Sequence, residues 1–306
     1  MLHPGEGTKR YQIRQWRANP RKLLWLWLCL LFGLLATDSL NSATLRNPLG
    51  LIASAQKEPA SSSSSLSCSF TSAPDITLRC ISFQGHLYAV VDINLRLQEI
   101  VFTTSDDGKR ETFPVVVSNL SSAGVRPILV TNAGIYGTDN RPLGLLISSK
   151  RKLHDVNTAA GAGRGNFSWD SAVFQISDDG TAAIVQARTW RDSPRTIAAT
   201  QSGPQLANSG KINQSFQAQS KWSFRRTAIG VDQSNPRLVH LVVSRDAVTL
   251  FELAAFMVNE LHCSEALHLD GDLSTFYIPS APDKFLFSDP GERIVTALSV
   301  IRKKVL

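Results

Sequence analysis

Acidic residues follow an apolar segment late in the chain. The segment ALHL, residues 266–269, has the composition of a buried strand, and Asp270, Gly271 and Asp272 come directly after it. A carboxylate at the end of a core strand can act as a base, hold a sugar hydroxyl or bind a cation. Asp272 is either a second partner or a turn residue, because aspartate and glycine together are also typical of a tight turn. This segment therefore predicts either a site or a plain turn.

Two other strand-like segments also end in polar residues beside a glycine. One ends at Asn132, which carries an amide donor and acceptor, and Gly134 allows the backbone there to approach a ligand closely. The other ends at Ser202-Gly203-Pro204, where a hydroxyl and backbone N–H groups can hold an anion. Each segment is also compatible with a simple strand-to-turn transition. The G-x-S-x-G frame of a nucleophile elbow is absent from the second one.

Two adjacent arginines, Arg225 and Arg226, precede the apolar segment TAIGV. Since side chains alternate along a strand, only one of the two can face a given side. An inward arginine can clamp a phosphate or carboxylate with two N–H groups, whereas an outward one is solvated surface.

Metal and nucleotide motifs are weak in this sequence. His262 and His268, with Cys263 and Glu265 between them, do not have the spacing of a zinc site. The segment GAGRGNF, residues 161–167, lacks the Gly-Lys-Ser/Thr of a phosphate-binding loop, and a flexible loop that covers the site is the favoured interpretation. No cofactor is predicted from these residues, and a divalent cation is left open.

Short alternating segments rich in β-branched residues dominate from residue 68 onward. Apolar residues recur at helical spacing over 248–263, which predicts one clear helix. We therefore predict a single α+β domain with a mixed sheet and few helices. A disulfide between Cys68 and Cys80 is the preferred pairing, and Cys263 is then a buried small hydrophobic residue.

The N-terminus has the arrangement of a secretory signal. Residues 1–22 contain six basic residues and one acidic residue, which accounts for most of the net charge of +7. The apolar run 23–36 follows, and is short for a membrane-spanning helix. We expect a signal peptide or an uncleaved signal anchor over 1–36 rather than a buried core helix.

The predicted organisation continues with a flexible Ser-rich linker over 37–67 and a folded domain over 68–306. Positive charge at the N-terminus keeps that end cytoplasmic and sends the domain across the membrane, so the domain is expected to be extracytoplasmic, periplasmic or secreted. It would be tethered through 23–36 if the signal is not cleaved. Because the basic charge is concentrated in the tag, nucleic acid is not an expected partner.

Five segments carry a more specific signal through their order. They are TNAGIYG (131–137), PLGLLISSKRKLHDVNTAAGAGRGNF (142–167), ATQSGPQL (199–206), RRTAIGVD (225–232) and CSEALHLDGDLSTFYIP (263–279). Taken together they resemble the phosphodiester glycosidase domain family, which includes the enzyme that uncovers mannose 6-phosphate. The bacterial subgroup associated with exopolysaccharide biosynthesis is the more similar one. The uncovering type has a glycine-rich continuation after LDG, where this chain has Asp272-Leu273.

The resemblance implies an extracytoplasmic α+β domain that cleaves a sugar–phosphate diester on the sugar side. Asp270 would stabilise the cation-like sugar or activate water, while Arg226 and the backbone near Ser202 and Gly203 would neutralise the phosphate. Asn132 would orient a sugar hydroxyl or the phosphate. The expected catalytic residues are Asp270, Arg226 and Asn132, and the expected substrate-binding residues are Gly134, Ser202, Gly203, Gly271 and Ser274.

Two other classes of function compete with this reading. The same pocket could bind a cell-envelope glycan or phospho-sugar without turning it over, as a membrane-tethered assembly factor. A purely structural, disulfide-stapled module is disfavoured, because polar residues at three strand ends exceed what a scaffold requires.

Overall fold

The chain folds into sheets that surround a shared core, with few helices. A computed structural model describes residues 76–105, 107–159, 170–271, 273–281, 285–287 and 291–303. Outside the described residues lie the predicted signal segment 23–36, the linker 37–67, Cys68, the loop 161–167 and Asp272. The Cys68–Cys80 pairing therefore stays a prediction.

The described residues form nineteen strands and two α-helices. In chain order they are β1 (Thr77–Phe83), β2 (His86–Asn94), β3 (Gln98–Thr104), β4 (Glu111–Thr112), α1 (Phe113–Ser122), β5 (Pro127–Asn132), β6 (Leu146–Ser148), β7 (Arg151–His154), β8 (Ala172–Ser177), β9 (Ala182–Gln186), β10 (Thr196–Ser202), β11 (Gln205–Asn208), β12 (Lys211–Ile212), β13 (Thr227–Asp232), β14 (Leu238–Ser244), α2 (Leu250–Ala255), β15 (Cys263–His268), β16 (Phe276–Tyr277), β17 (Phe285–Leu286), β18 (Arg293–Ile294) and β19 (Thr296–Arg302).

The strands form three main sheets. One has the order β1-β2-β14-β13-β15-β11-β12, the second β7-β6-β10-β8-β9 and the third β17-β16-β5-β19-β3. A two-stranded sheet joins β18 to β4, and every strand pair among the described residues is antiparallel. The prediction of a single α+β domain with few helices is confirmed.

The seven-stranded sheet is buried on both faces. Along β14, Val239, Leu241 and Val243 pack into the core shared with the other two large sheets. Val242 points to the opposite face, which α2 covers. Burial of both faces explains why these strands read as nearly continuous apolar segments in the sequence.

The helix predicted over 248–263 is shorter than expected. Thr249 caps α2: its hydroxyl accepts from the Glu252 N–H at 3.1 Å, and the Glu252 carboxylate accepts from the Thr249 N–H at 2.7 Å. The chain then forms a π-helical turn over Phe256–Glu260. His262 adopts a left-handed φ of 53° and the strand β15 begins at Cys263. Apolar residues therefore recur at helical spacing beyond the end of α2, into residues that fold as a strand, and this made the predicted helix too long.

Within the described ranges, no helix combines the length and apolar character that crossing a membrane requires. Cys263 is buried among apolar residues, as predicted, and burial raises the pKa of its thiol.

Candidate active site

Strand ends from all three large sheets meet at one place. Asn132 ends β5, Ser202 ends β10 and His268 ends β15. The start of β13 is at the same place, because β13 runs antiparallel to β15 with Ala228 opposite His268. The polar residues that mark these ends in the sequence are therefore brought together by topology rather than by sequence proximity.

Asn132 fixes the backbone that presents Asp270. Asn132 is 1% exposed, and its Oδ1 accepts from the hydroxyl of Thr227 at 3.0 Å. Its Nδ2 donates to the carbonyl oxygen of Asp270, and the Asp270 N–H donates to the Ala133 carbonyl at 2.9 Å. These contacts therefore fix both backbone polar groups of Asp270, which lies two positions after the end of β15.

Arg226 is the inward member of the arginine pair. It is 4% exposed, whereas Arg225 lies at the surface, as strand alternation predicted. Its Nε donates to the Val248 carbonyl at 2.8 Å and its Nη2 to the Trp222 carbonyl at 3.3 Å. Burial lowers the pKa of this guanidinium to about 10, so it stays charged at neutral pH. In the described part of the chain it forms no ion pair with a carboxylate.

His268 links Arg226 to the Ser-Gly-Pro turn. Its Nδ1 lies 3.1 Å from the Gly203 carbonyl oxygen, which can only accept, so Nδ1 carries the proton. Its Nε2 then accepts from Nη1 of Arg226 at 3.3 Å. Complete burial, and secondarily the charge of Arg226, lower the pKa of His268 to about 3. The imidazole is therefore neutral at physiological pH.

Glycines allow close packing at two points of the site. A Cβ on Gly271 would lie 3.4 Å from Cε1 and Nε2 of His268, so this glycine covers the imidazole ring. A Cβ on Gly134 would lie only 2.3 Å from the carbonyl oxygen of Gln201, the residue before Ser202. Gly134 is thus required for the end of β5 to pack against the end of β10.

Six buried hydroxyls lack a hydrogen-bond partner among the described residues, and two of them belong to residues that the sequence singled out for the site. These two are the Oγ atoms of Ser202 and Ser274. A buried hydroxyl without a partner costs about 1–3 kcal/mol, so such groups usually meet a ligand or ordered water. Ser274 is positioned through its neighbour Thr275, whose carbonyl accepts from the Thr131 hydroxyl at 2.7 Å.

The contacts connect most of the residues that the sequence singled out. Asn132, Asp270, Gly271, Gly203 and Arg226 form one chain of contacts through Thr227 and His268. Gly134 packs behind this chain and Ser202 adjoins it in sequence. Ser274 is connected to this chain of contacts only through Thr275, whose carbonyl accepts from Thr131 in β5.

Sequence reasoning missed two members of the site. His268 was considered only as a metal ligand, and among the described residues no group of three or more His, Cys, Asp and Glu could hold a metal ion. Thr227 was read as the first residue of a strand. Alternation places the Thr227 side chain on the strand face opposite Arg226, but the contact of its hydroxyl with Asn132 depends on how the sheets pack.

Converging strand ends, a buried cation and a strand-end carboxylate are an arrangement of groups that suits a polar, anionic ligand. The sequence pattern of the phosphodiester glycosidase family matches residues 126–297, more than half of the chain. The chain therefore belongs to the phosphodiester glycosidases, which are hydrolases.

The chain is also similar to individual proteins outside this pattern match. The Escherichia coli (strain K12) protein YigE is 27% identical over 194 residues, which cover 63% of this chain and 72% of YigE. The fold is similar to the catalytic domain of zebrafish N-acetylglucosamine-1-phosphodiester alpha-N-acetylglucosaminidase, with a TM-score of 0.52. That alignment has 19% identity and covers 75% of this chain and 83% of the zebrafish chain, so it shows a shared fold.

Proposed function

We propose that this protein hydrolyses a sugar 1-phosphodiester at the bond between the sugar and the phosphate oxygen. The observation that carries the proposal is the buried, protonated Arg226 with neutral protein partners, connected through His268 and Gly271 to the strand-end carboxylate of Asp270. A phosphodiester is the anion that such a cation would attract, and a carboxylate is the group that glycosidic cleavage needs.

The reaction follows from these charges. Water adds to the anomeric carbon, the bond from that carbon to the phosphate oxygen breaks, and a phosphate monoester leaves with the bonding electrons. One proton of the water goes to a base and then to solvent. Asp270 either accepts this proton or stabilises the positive charge on the sugar ring, and both roles require an ionised carboxylate.

Arg226 supports the departure of the phosphate. A guanidinium has five N–H groups, and described residues accept from three of those of Arg226. Two N–H groups are left for phosphate oxygens. A phosphate monoester is already a good leaving group, so neutralising its charge matters more than protonating it. Asn132 acts as a positioning residue for Asp270, and the hydroxyls of Ser202 and Ser274 are further candidate donors to the substrate.

The test is hydrolysis of a panel of sugar 1-phosphodiesters by the full chain and by two variants. Asp270→Asn keeps both backbone contacts of residue 270, and we expect a loss in kcat of about 10²–10⁴-fold. Asp192→Asn makes the same chemical change at an exposed residue, whose carboxylate forms a salt bridge with Lys152. This control variant should retain activity. Release of free sugar at equal rates by Asp270→Asn and the parent would refute the role of the carboxylate.

A second outcome would change the class of protein. If no panel member is turned over but several bind saturably to the parent and to Asp270→Asn alike, the chain is a non-catalytic glycan or phospho-sugar binding protein. Arg226→Lys separates the contribution of the positive charge from that of the hydrogen-bond geometry. A lysine keeps the charge but cannot make the same fork of hydrogen bonds. We expect about a 10²-fold loss of kcat in that variant.

The biological setting is part of the proposal. A basic tag and an apolar run at the N-terminus favour export, with residues 37–67 as a linker and Cys68–Cys80 as a disulfide formed outside the cytoplasm. An exported phosphodiester hydrolase would act in cell-envelope or exopolysaccharide metabolism. Protease accessibility of residues 68–306 in intact cells tests the export.

A further inference from the structure

A buried glutamine precedes Ser202 near the end of β10. Gln201 is 1% exposed, and its side-chain oxygen accepts from the N–H groups of Leu145 at 3.0 Å and Asn157 at 2.9 Å. Its side-chain nitrogen donates to the Asn157 carbonyl at 2.7 Å and to the Ser171 hydroxyl at 3.1 Å. A primary amide has two N–H groups and an oxygen with two lone pairs, so its whole hydrogen-bonding capacity is used. Gln201 therefore joins three chain segments to the end of β10.

The packing around Gln201 is as close as its hydrogen bonding. Its N–H donates to the Leu145 carbonyl at 2.8 Å. A Cβ on Gly144 would lie 2.2 Å from the side-chain oxygen of Gln201, and a Cβ on Gly134 would lie 2.3 Å from its carbonyl oxygen. Because Gly134 follows the end of β5, a shift of Gln201 would also disturb the strand end that carries Asn132. The fold therefore fixes the position of Gln201 from several sides.

Ser202 lies between two residues that buried side chains hold in place. Gln201 is on one side, and on the other the Gly203 carbonyl lies 3.1 Å from Nδ1 of His268, whose Nε2 accepts from Arg226. The hydroxyl of Ser202 is completely buried and is one of the six without a partner among the described residues. Both neighbours of this hydroxyl are thus fixed, while the hydroxyl itself is available to donate to an anion held by Arg226.

We infer that Gln201 is a positioning residue for the proposed phosphodiester cleavage, and that it acts through the hydroxyl of Ser202. The amide holds the end of β10 so that this hydroxyl donates to a phosphate oxygen without first having to be ordered. Gln201 does not itself contact the substrate, because described protein groups already occupy all of its side-chain donors and acceptors. The inference rests on the proposed hydrolysis.

A purely structural glutamine would behave differently. It would stabilise the fold by joining the segments that carry Leu145, Asn157 and Ser171, and its loss would affect the rate whether or not Ser202 had its hydroxyl. A glutamine that acts through Ser202 has an effect on the rate that depends on this hydroxyl. The two roles therefore differ in whether the effects of substitutions at 201 and 202 combine independently.

A double-mutant cycle measures this dependence. Gln201→Glu keeps the size of the side chain and an accepting oxygen, but replaces the donating nitrogen by an oxygen that meets the Asn157 carbonyl. Ser202→Ala removes the hydroxyl. The full chain and its variants are compared by kcat/KM for the sugar 1-phosphodiester that the parent hydrolyses fastest. We expect each single substitution to lower kcat/KM about tenfold.

The double variant decides between the two roles. We expect it to lose no more than about threefold beyond Ser202→Ala alone, because the position of an absent hydroxyl no longer matters. Single losses that multiply to about a hundredfold in the double variant would overturn the inference, and so would full activity of Ser202→Ala.

Two further variants protect the test against a general loss of folding. Ser171→Ala removes only one acceptor of the Gln201 amide, and we expect about a threefold loss of kcat/KM in the parent and no further loss in Ser202→Ala. Gln175→Glu makes the same chemical change as Gln201→Glu on the neighbouring strand β8, where the Gln175 side-chain oxygen accepts from Nε1 of Trp190 at 2.8 Å. This control should keep the parent kcat/KM, and a loss as large as that of Gln201→Glu would contradict a specific role for Gln201.

Failure of the hydrolase proposal can be distinguished from failure of this inference. If no diester is turned over, the same cycle is measured on the Kd of glucose 1-phosphate by calorimetry. Losses of affinity that depend on the Ser202 hydroxyl would support positioning by Gln201 at a phosphate-binding site, although the hydrolase proposal has failed. Losses that combine independently, or no saturable binding by the parent, would overturn the inference as well.

Discussion

His268 should make the folded protein sensitive to acid in a specific pH window. Its pKa is about 3 in the folded chain, because burial and the nearby guanidinium of Arg226 oppose protonation, and it is close to 6.5 in an unfolded chain. Below pH 6.5 the unfolded chain therefore binds a proton that the folded chain does not. The stability contributed by neutral His268 is complete above pH 6.5 and is lost as the pH falls toward 3.

The size of the effect follows from the separation of the two pKa values. Each pH unit inside the window changes the free energy of unfolding by about 1.4 kcal/mol for this one group. Between pH 7 and pH 4.5 the loss amounts to about 2.5 kcal/mol, because little of it occurs above pH 6.5. Other titrating groups change stability in the same range, so the effect of His268 has to be isolated by a matched variant.

His268→Gln provides that comparison. A glutamine is neutral at every pH and has both a donor for the Gly203 carbonyl and an acceptor for Arg226. Urea unfolding of parent and variant at pH 7, 6, 5 and 4.5 gives the difference in free energy at each pH. We expect the parent to lose about 2.5 kcal/mol relative to the variant between pH 7 and 4.5. A difference that changes by less than about 0.5 kcal/mol would mean that His268 is not buried as a neutral base.

Two further stability predictions concern local geometry. Gly134→Ala places a Cβ 2.3 Å from the Gln201 carbonyl oxygen, and we expect about 2–3 kcal/mol of destabilisation by urea unfolding. Gly291→Ala, where a Cβ would meet nothing within 4 Å, is the control and should be close to neutral, so equal effects at the two positions would contradict the packing argument. Thr249→Ala removes the hydroxyl that caps α2 at the Glu252 N–H, and should lower the free energy of unfolding by about 1 kcal/mol; an unchanged urea midpoint would show that the capping box contributes little.

Much of the sheet architecture could be predicted because strand signals are local. In β2 and β14 the nearly continuous apolar sequence directly reflects two buried faces. The end of the helix in 248–263 could not be predicted, because the apolar spacing persists through a π-helical turn and into β15. Periodicity reports burial, and both a helix and a buried strand satisfy it over a few residues.

The strand-end positions of Asn132, Ser202 and Asp270 could also be predicted, since each lies where an apolar segment meets a glycine. Their assembly could not, because it depends on which strands pair. The role of His268 was least accessible of all. Its protonation state is set by complete burial and by Arg226, which lies 42 residues earlier in the chain.

The neutral state of His268 also explains how Arg226 keeps its charge available. A carboxylate at this position would form a buried ion pair with the guanidinium, and a substrate phosphate would then have to displace it. An imidazole that donates to Gly203 instead presents a lone pair, which orients Nη1 without compensating its charge. The folded domain thus holds a buried cation whose described partners are a carbonyl pair and a neutral ring. A buried charge without a counter-ion is costly, and an anionic ligand removes that cost on binding, so the arrangement favours phosphate over a neutral sugar before any sugar contact is made.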